Sequence, residues 1–483
     1  MSSVPPAIAE AYDPDRFRTE GHRLIDAIAD ALGRWHEREG VVLPWRAPAD
    51  ARANWARKPI GSADLVDELR RIMAGSTALA HPHCMAHQVP PPLPGAALAE
   101  LVSAILNNGM AVYEMGPTAV PIEFAVIDWM CEKLGLPETA GGVLTSGGSL
   151  GNLTALCAMR QARAGFDVWR DGAHAGKPLA VITSDEAHYS IARTLGVMGW
   201  GQGGAVAAAV DAHHRMTPEG VERALREARD RGVHVIGIVA AAGSTATGAF
   251  DPLHELADVA ARERLWLHVD AAHGGGVALS LGHRHKLAGI ERADSIVWDA
   301  HKLMMMPALV TAVLYKQHRD SYAAFAQQAS YLFHAGSGAD DPDDRWFDLG
   351  TRTLECTKRM MAIEVWSALR VHGEAWFGDV VERLIVLAAT LAAKLRDTPG
   401  FEVAIDPELN IVCYRHVPDG ITGDALDAHN RALRQRVVED GRFYVVGTQL
   451  PTGYHLRSTL MNPLIEDHDL DELIEHLRTL CPS

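Results

Sequence analysis

Four short runs at 179–183, 235–240, 265–269 and 295–298 are apolar almost without interruption, and amphipathic runs at 218–231 and 252–264 separate them. A strand with one wet face alternates polar and apolar residues. A strand that is apolar throughout is buried on both faces, as in a parallel sheet covered by helices. The run 308–315 reads as a further strand returning to that sheet, and helical patterns at 98–107 and 121–134 precede it. Residues 1–95 carry helical patterns such as 17–35 and 63–73, broken by Pro-rich connectors. Beyond 371 the pattern changes to a long helix at 376–395, candidate strands at 411–415, 444–447 and 454–460, and a closing helix at 467–480. The expected organisation is an N-terminal helical segment (1–95), a large α/β domain with a mostly parallel sheet (96–370) and a small α+β C-terminal domain (371–483).

Composition narrows the function. A formal charge of −16 argues against a nucleic-acid partner, because binding phosphate backbones needs clustered cations. No apolar run approaches the roughly 20 residues that span a bilayer. The first residues, Met1 to Pro6, have neither the basic nor the apolar stretch of an export signal. Six scattered cysteines fit free thiols in a reducing compartment, so a cytoplasmic location is expected. The group His81, His83, Cys84 and His87 stands just before a Pro-rich stretch with no matching cluster elsewhere. These are read as structural or pocket-lining residues, and no metal is expected.

Two of the apolar runs end in chemistry. The run 265–269 leads into Asp270-Ala271-Ala272-His273-Gly274-Gly275, and the run 295–298 into Asp299-Ala300-His301-Lys302. A carboxylate and an amine at the ends of two strands, about one crossover apart, are what a pyridoxal phosphate (PLP) site requires. The lysine holds the aldehyde and the aspartate keeps the ring nitrogen protonated, since an opposite charge favours the charged form. His268, two residues before Asp270, shares its face of the strand and is positioned to orient that carboxylate. The Gly-rich run 145–152 opens a helical pattern at 153–163 and can bring backbone N–H groups to a phosphate. It lacks the Gly-Lys-Ser/Thr of a nucleotide P-loop. His188 follows the strand ending at Thr183, where a parallel sheet presents ligand-binding groups. The Gly- and Asp-rich segment 331–349 reads as a mobile lid.

These residues resemble the group II PLP-dependent amino-acid decarboxylases, which include glutamate, sulfinoalanine, diaminobutyrate and aromatic-amino-acid enzymes. The likeness runs from about His81 to Pro463, anchored at 145–152, Ala187-His188, 248–253, 268–275, 293–295 and His301-Lys302. It implies an aspartate-aminotransferase-like fold with a seven-stranded sheet, and a homodimer with active-site loops shared between subunits. It implies that Lys302 carries the cofactor and Asp270 pairs with the ring nitrogen, with His188 stacked on one ring face and Ala272 against the other. Gly148, Ser149 and His301 would hold the phosphate, and Ser244 or Thr245 (Thr245 preferred) would lie near the ring's polar edge. Tyr331 matches the loop tyrosine that protonates the substrate carbon after CO₂ leaves. Asp299 departs from the asparagine of several relatives, and a second negative charge beside a phosphate keeps it out of that set.

The implied substrate is an L-amino acid with an acidic or small polar side chain: glutamate, aspartate, cysteine sulfinate or 2,4-diaminobutyrate. Residues 113–117 and 329–333 look like the glutamate and sulfinoalanine branch, whereas 81–87 with 90–92 look like the diaminobutyrate branch. His87, Gln88, Tyr113 and Lys358 are the candidate substrate contacts. Lys358 lies where the acidic-substrate branch carries an arginine, though a lysine lacks the guanidinium fork. An aromatic-amino-acid decarboxylase is the alternative, followed by an aminotransferase using Arg457 for the α-carboxylate.

Overall fold

The computed structural model describes residues 4–55, 61, 63–322, 324–325 and 347–481. They form two compact units. The larger comprises 88–392 with 405–412, and the smaller comprises 1–87, 393–404 and 413–483.

In the smaller unit, helices α1 (Pro6–Ala11), α2 (Pro14–His36), α3 (Pro48–Trp55) and α4 (Leu65–Ala74) come first. The larger unit then begins with α5 (Pro94–Leu106) and α6 (Ala119–Lys133), followed by β1 (Gly141–Thr145), α7 (Gly148–Arg163) and α8 (Val168–Asp171). It continues through β2 (Leu179–Ser184), α9 (Ser190–Val197), β3 (Ala205–Ala208), α10 (Pro218–Asp230), β4 (His234–Ala241) and α11 (Leu253–Glu263). Strands β5 (Trp266–Asp270), β6 (Ser295–Asp299) and β7 (Thr311–Tyr315) complete its sheet, and α12 (Ala362–Asp397) leads out of it, bent where Gly373 takes φ +77°.

The seven strands lie in the order β1-β7-β6-β5-β4-β2-β3. Strand β7 runs antiparallel to both neighbours, and the other pairs are parallel. The expected mostly parallel α/β sheet is therefore present. Strands β1, β2, β6 and β7 are buried along their whole length, as their unbroken apolar character requires. The amphipathic runs became the covering helices. In α10, Val221, Ala224, Leu225 and Ala228 are buried at helical spacing, and the Thr217 hydroxyl caps the start by accepting from the Gly220 N–H at 3.1 Å. Two strands of this sheet escaped the sequence reading. Strand β1 opens with two glycines, and β3 is four residues long with an exposed member.

In the smaller unit β8 (Phe401–Val403), β9 (Ile411–His416), β10 (Val446–Leu450) and β11 (Gly453–Thr459) form a four-stranded sheet ordered β10-β11-β9-β8. Helices α13 (Gly423–Asp440) and α14 (Asp467–Leu480) complete it. The first residues of the chain are stitched to the last. Val42 N–H donates to Gly441 O at 2.9 Å, Thr459 N–H donates to Met85 O at 3.0 Å, and Arg38 grips Asp469 with two hydrogen bonds of 3.0 and 2.9 Å.

Strand β1 lies at one margin of the large sheet, and an edge strand leaves backbone groups unpaired. A buried ion pair occupies that margin. Glu123 on α6 accepts from Leu144 N–H at 2.9 Å, Lys358 Nζ donates to Leu144 O at 2.6 Å, and Lys358 also donates to Glu123. Both side chains are 1% exposed, so the two charges stand in for the missing neighbouring strand. Burial pulls the Lys358 amine down while Glu123 holds it up. Removing one member leaves the other charge buried and alone. Glu123→Gln or Lys358→Met should destabilise the protein by about 3–5 kcal/mol in chemical denaturation, whereas a double apolar replacement should recover much of that loss. Single variants as stable as the parent would refute this role for the pair.

Candidate active site

Because β1, β2, β5 and β6 share one direction, their C-terminal ends gather on one edge of the sheet. Asp270 ends β5. Asp299 ends β6, with His301 and Lys302 in the turn that follows. Helix α7 starts at Gly148, three residues past the end of β1, and His188 lies in the turn after β2. The β1–α7 turn depends on Gly147, whose φ of +104° is a conformation that L side chains rarely adopt.

Lys302 Nζ lies 3.0 Å from Asp299 Oδ2, and the Thr311 hydroxyl donates to Asp299 Oδ1 at 2.5 Å. His301 Nε2 is 3.6 Å from Asp299 Oδ2, while its Nδ1 faces Val310 O at 2.9 Å. A Cβ added to Gly148 would stand 3.0 Å from the same Asp299 oxygen. Asp299 thus sits beside the start of α7, buried and balanced by an ammonium and a hydroxyl. This is the hydrogen-bonded condition under which a carboxylate is tolerated there.

A second network fixes Asp270. The Asn152 amide nitrogen donates to Asp270 Oδ2 at 2.9 Å and to Ser190 Oγ at 3.0 Å, and the Ala272 N–H donates to Asp270 Oδ1 at 3.2 Å. With both amide hydrogens directed there, the Asn152 carbonyl must face His268 Nε2, 3.0 Å away, so that nitrogen carries a proton. Burial pushes the His268 imidazole down to about 4, leaving it neutral. Its Nδ1 then accepts from Ser295 Oγ at 2.8 Å, and Ser295 accepts from the Trp266 indole at 2.8 Å. On the other branch Ser190, having accepted from Asn152, donates to His188 Nδ1 at 2.8 Å. Burial lowers the His188 pKa, and the neutral ring keeps its hydrogen on Nε2. One chain of donors therefore sets the carboxylate and two tautomers together. Sequence reasoning expected His268 to orient Asp270. The structure inserts Asn152 between them and adds Ser190 and Ser295, which the sequence did not single out.

The remaining expected residues are distributed more widely. Ala272 is buried next to Asp270, Ser149 is exposed on the first turn of α7, and Thr245 is half-buried. Ser244 pairs with Thr247 at 2.9 Å. Gln88 is buried, and its amide nitrogen has no hydrogen-bond partner among the described residues. Tyr113 is exposed, and its backbone N–H donates to Asp348. His87 belongs to the smaller unit, where it meets the Tyr444 hydroxyl at 3.0 Å. Lys358 is committed to Glu123 and Leu144, which removes it as an exposed cation for a substrate. Tyr331 and most of the expected lid lie outside the described residues.

Asp270, Lys302, His188 and the N-terminal turn of α7 together could hold a phosphorylated pyridine aldehyde: an anion for the ring nitrogen, an amine for the aldehyde, a ring to stack and free N–H groups for the phosphate. The comparisons agree with that chemistry. Residues 52–417 match the pyridoxal-dependent decarboxylase conserved domain. The chain is 31% identical to human cysteine sulfinic acid decarboxylase over 427 residues, covering 86% of this chain and 85% of that protein. It is 30% identical to mouse acidic amino acid decarboxylase GADL1 over 395 residues, 79% of this chain and 70% of that one. The crystal structure of mouse CSAD in its apo form superposes with a TM-score of 0.89 at 26% identity, covering 98% and 100% of the two chains. The chain belongs to the pyridoxal-dependent decarboxylases, enzymes that use pyridoxal phosphate to release carbon dioxide from amino acids.

Proposed function

We propose that the edge of the large sheet carrying Lys302 and Asp270 is the decarboxylation centre. The observation that carries this reading is the Asn152 network, which holds Asp270 as an oriented acceptor while Lys302 stands at the end of the adjacent strand. The residues fit the cofactor: the first turn of α7, opening at Gly148, offers backbone N–H groups for its phosphate. Bound PLP supplies an electron sink for the pair left behind when CO₂ departs. Asp270 would keep the ring nitrogen protonated, and the neutral His268 would hold the Asn152 amide that orients Asp270 without adding charge. Gly148, Ser149 and His301 would hold the phosphate, with Thr245 at the ring's polar edge and Ala272 opposite His188. Asp299 would hold and orient the Lys302 amine until the cofactor is loaded. Tyr331 is proposed as the proton donor to the substrate carbon.

The substrate proposed is an acidic amino acid. The names of the two relatives support this. His87, Gln88 and Tyr113 are proposed contacts, and Lys358 is withdrawn. The six free thiols favour a cytoplasmic enzyme. A homodimer is proposed from α5, where Leu98, Leu101, Val102, Ile105 and Leu106 form one apolar stripe and remain 44–62% exposed. A stripe of that size is characteristic of an interface.

Lys302→Ala should abolish CO₂ release and leave no borohydride-reducible link to the cofactor, and full turnover would reject the assignment. Asn152→Ala removes a hydrogen bond to a charged group worth about 1.5–3 kcal/mol, so kcat/KM should fall about 10–100-fold, and folding stability should fall as well because Ser190 and His268 lose a buried partner. Across a panel of cysteine sulfinate, aspartate, glutamate, diaminobutyrate, tyrosine and DOPA, turnover should favour the first three. Preferred turnover of tyrosine or DOPA would reverse this choice. Ile105→Glu should shift the protein from dimer to monomer in sedimentation, and an unchanged dimer would mean that α5 is not the interface.

A further inference from the structure

The smaller unit holds a cluster that lies outside the decarboxylation residues. One ring nitrogen each from His416 and His429 and the sulfur of Cys481 lie within 4.8 Å of one another, the single such group among the described residues. His416 ends β9, His429 lies on α13, and Cys481 follows the last turn of α14. The sequence did not reveal it, because the three residues are scattered and none has a ligand-like spacing to another.

The two imidazoles approach closely: His416 Nδ1 is 2.9 Å from His429 Nε2, so one donates and the other accepts. A tetrahedral zinc ion, with bonds of about 2.0–2.1 Å to nitrogen and 2.3 Å to sulfur, needs its ligand atoms about 3.3–3.7 Å apart. The nitrogens would have to part by a few tenths of an ångström and the sulfur would have to draw in. Their supports are already set. His416 N–H donates to Asn430 Oδ1 at 2.9 Å, and the Asn430 amide donates back to His416 O at 2.9 Å and to Leu426 O at 3.0 Å. These bonds lock the end of β9 to α13 beside His429. The Phe401 ring packs edge-on against His416, with centroids 5.1 Å apart. Arg436 on α13 donates to Leu480 O at 3.4 Å and to Cys481 O at 3.5 Å, tethering the end of α14. Anchors of this kind orient metal ligands.

Arg478 stands near His416 and Arg436 near His429. Burial raises the Cys481 thiol, while Arg436 and Arg478 oppose that rise. The sulfur now contacts Leu477 O at 3.3 Å and would give up its proton on binding a metal.

We infer that His416, His429 and Cys481 form a three-ligand site for a divalent cation of the zinc class, which clips the end of α14 to β9 and α13. Two borderline nitrogens and one thiolate favour zinc, cobalt or nickel over calcium or magnesium, and the fourth position is left for water.

The PLP-loaded full chain, stripped with a chelator and dialysed, should take up one Co²⁺ per subunit with a thiolate-to-metal charge-transfer band in the near ultraviolet. Cys481→Ser should abolish that band and weaken Zn²⁺ binding by about a hundredfold or more, with decarboxylation retained. His429→Gln should weaken Zn²⁺ binding comparably, and Cys356→Ser, which removes the one exposed thiol, should change neither readout. The site is refuted by absence of the band in the parent chain, by its survival in Cys481→Ser, or by its loss in Cys356→Ser alone. Because Cys481→Ser is nearly isosteric at a partly buried position, a folded variant lacking the band separates loss of the ligand from loss of structure.

Discussion

The primary amide of Asn152 makes three commitments at once: two hydrogens to Asp270 and Ser190, and one carbonyl to His268. An amide cannot be reversed without placing a carbonyl against a carboxylate, so its orientation is forced and those of its neighbours follow. Asp270 is aimed, His268 is held with its proton on Nε2, and His188 is held through Ser190. Every member is buried or half-buried, where a missing partner costs more than the bond itself is worth in water. The helix that carries Asn152 is the one whose first turn faces Asp299, so a single element, α7, joins the Asp270 network to the Asp299 and Lys302 pair.

Charge is handled differently at the two ends of this sheet. At the β1 margin, Lys358 and Glu123 neutralise each other completely and serve the backbone of Leu144. At the edge where the parallel strands end, Lys302 has Asp299 as its one close counterion among the described residues, and its side chain retains some solvent access. The first pair is closed on every side, whereas the second can be exchanged. That contrast explains why two buried or near-buried lysines in one unit can have opposite roles. It also explains why a cation identified from its position in a family pattern is a weak guide until its partner is known.

Much of this was legible in the sequence. Strands with no polar interruption have one solution, burial on both faces, and the acid and the amine sit directly after two of them. What the sequence could not supply was side-chain connectivity. Asn152 was visible as the last residue of a Gly-rich run, but nothing in the run says that its amide points at β5 rather than at solvent. Ser190 and Ser295 stand at a helix start and a strand start, where serine is common for local reasons. Lys358 was misjudged for the same cause. Its acidic partner is 235 residues away in sequence, and no local pattern announces a pair formed over that distance.

The smaller unit is assembled from the two extremes of the chain, with Arg38 bonded to Asp469 across 431 positions and Val42 bonded to Gly441. During synthesis, residues 1–87 leave the ribosome before the strands they pair with have been made, and the whole large unit is translated in between. Arg38 and Val42 cannot close these contacts until Gly441 and Asp469 emerge. Such late, long-range closure slows folding and leaves apolar surface open to aggregation. Expression of this protein is therefore expected to depend on chaperone supply and on temperature more strongly than its helical content would suggest, and C-terminal truncations would unmake the N-terminal segment as well.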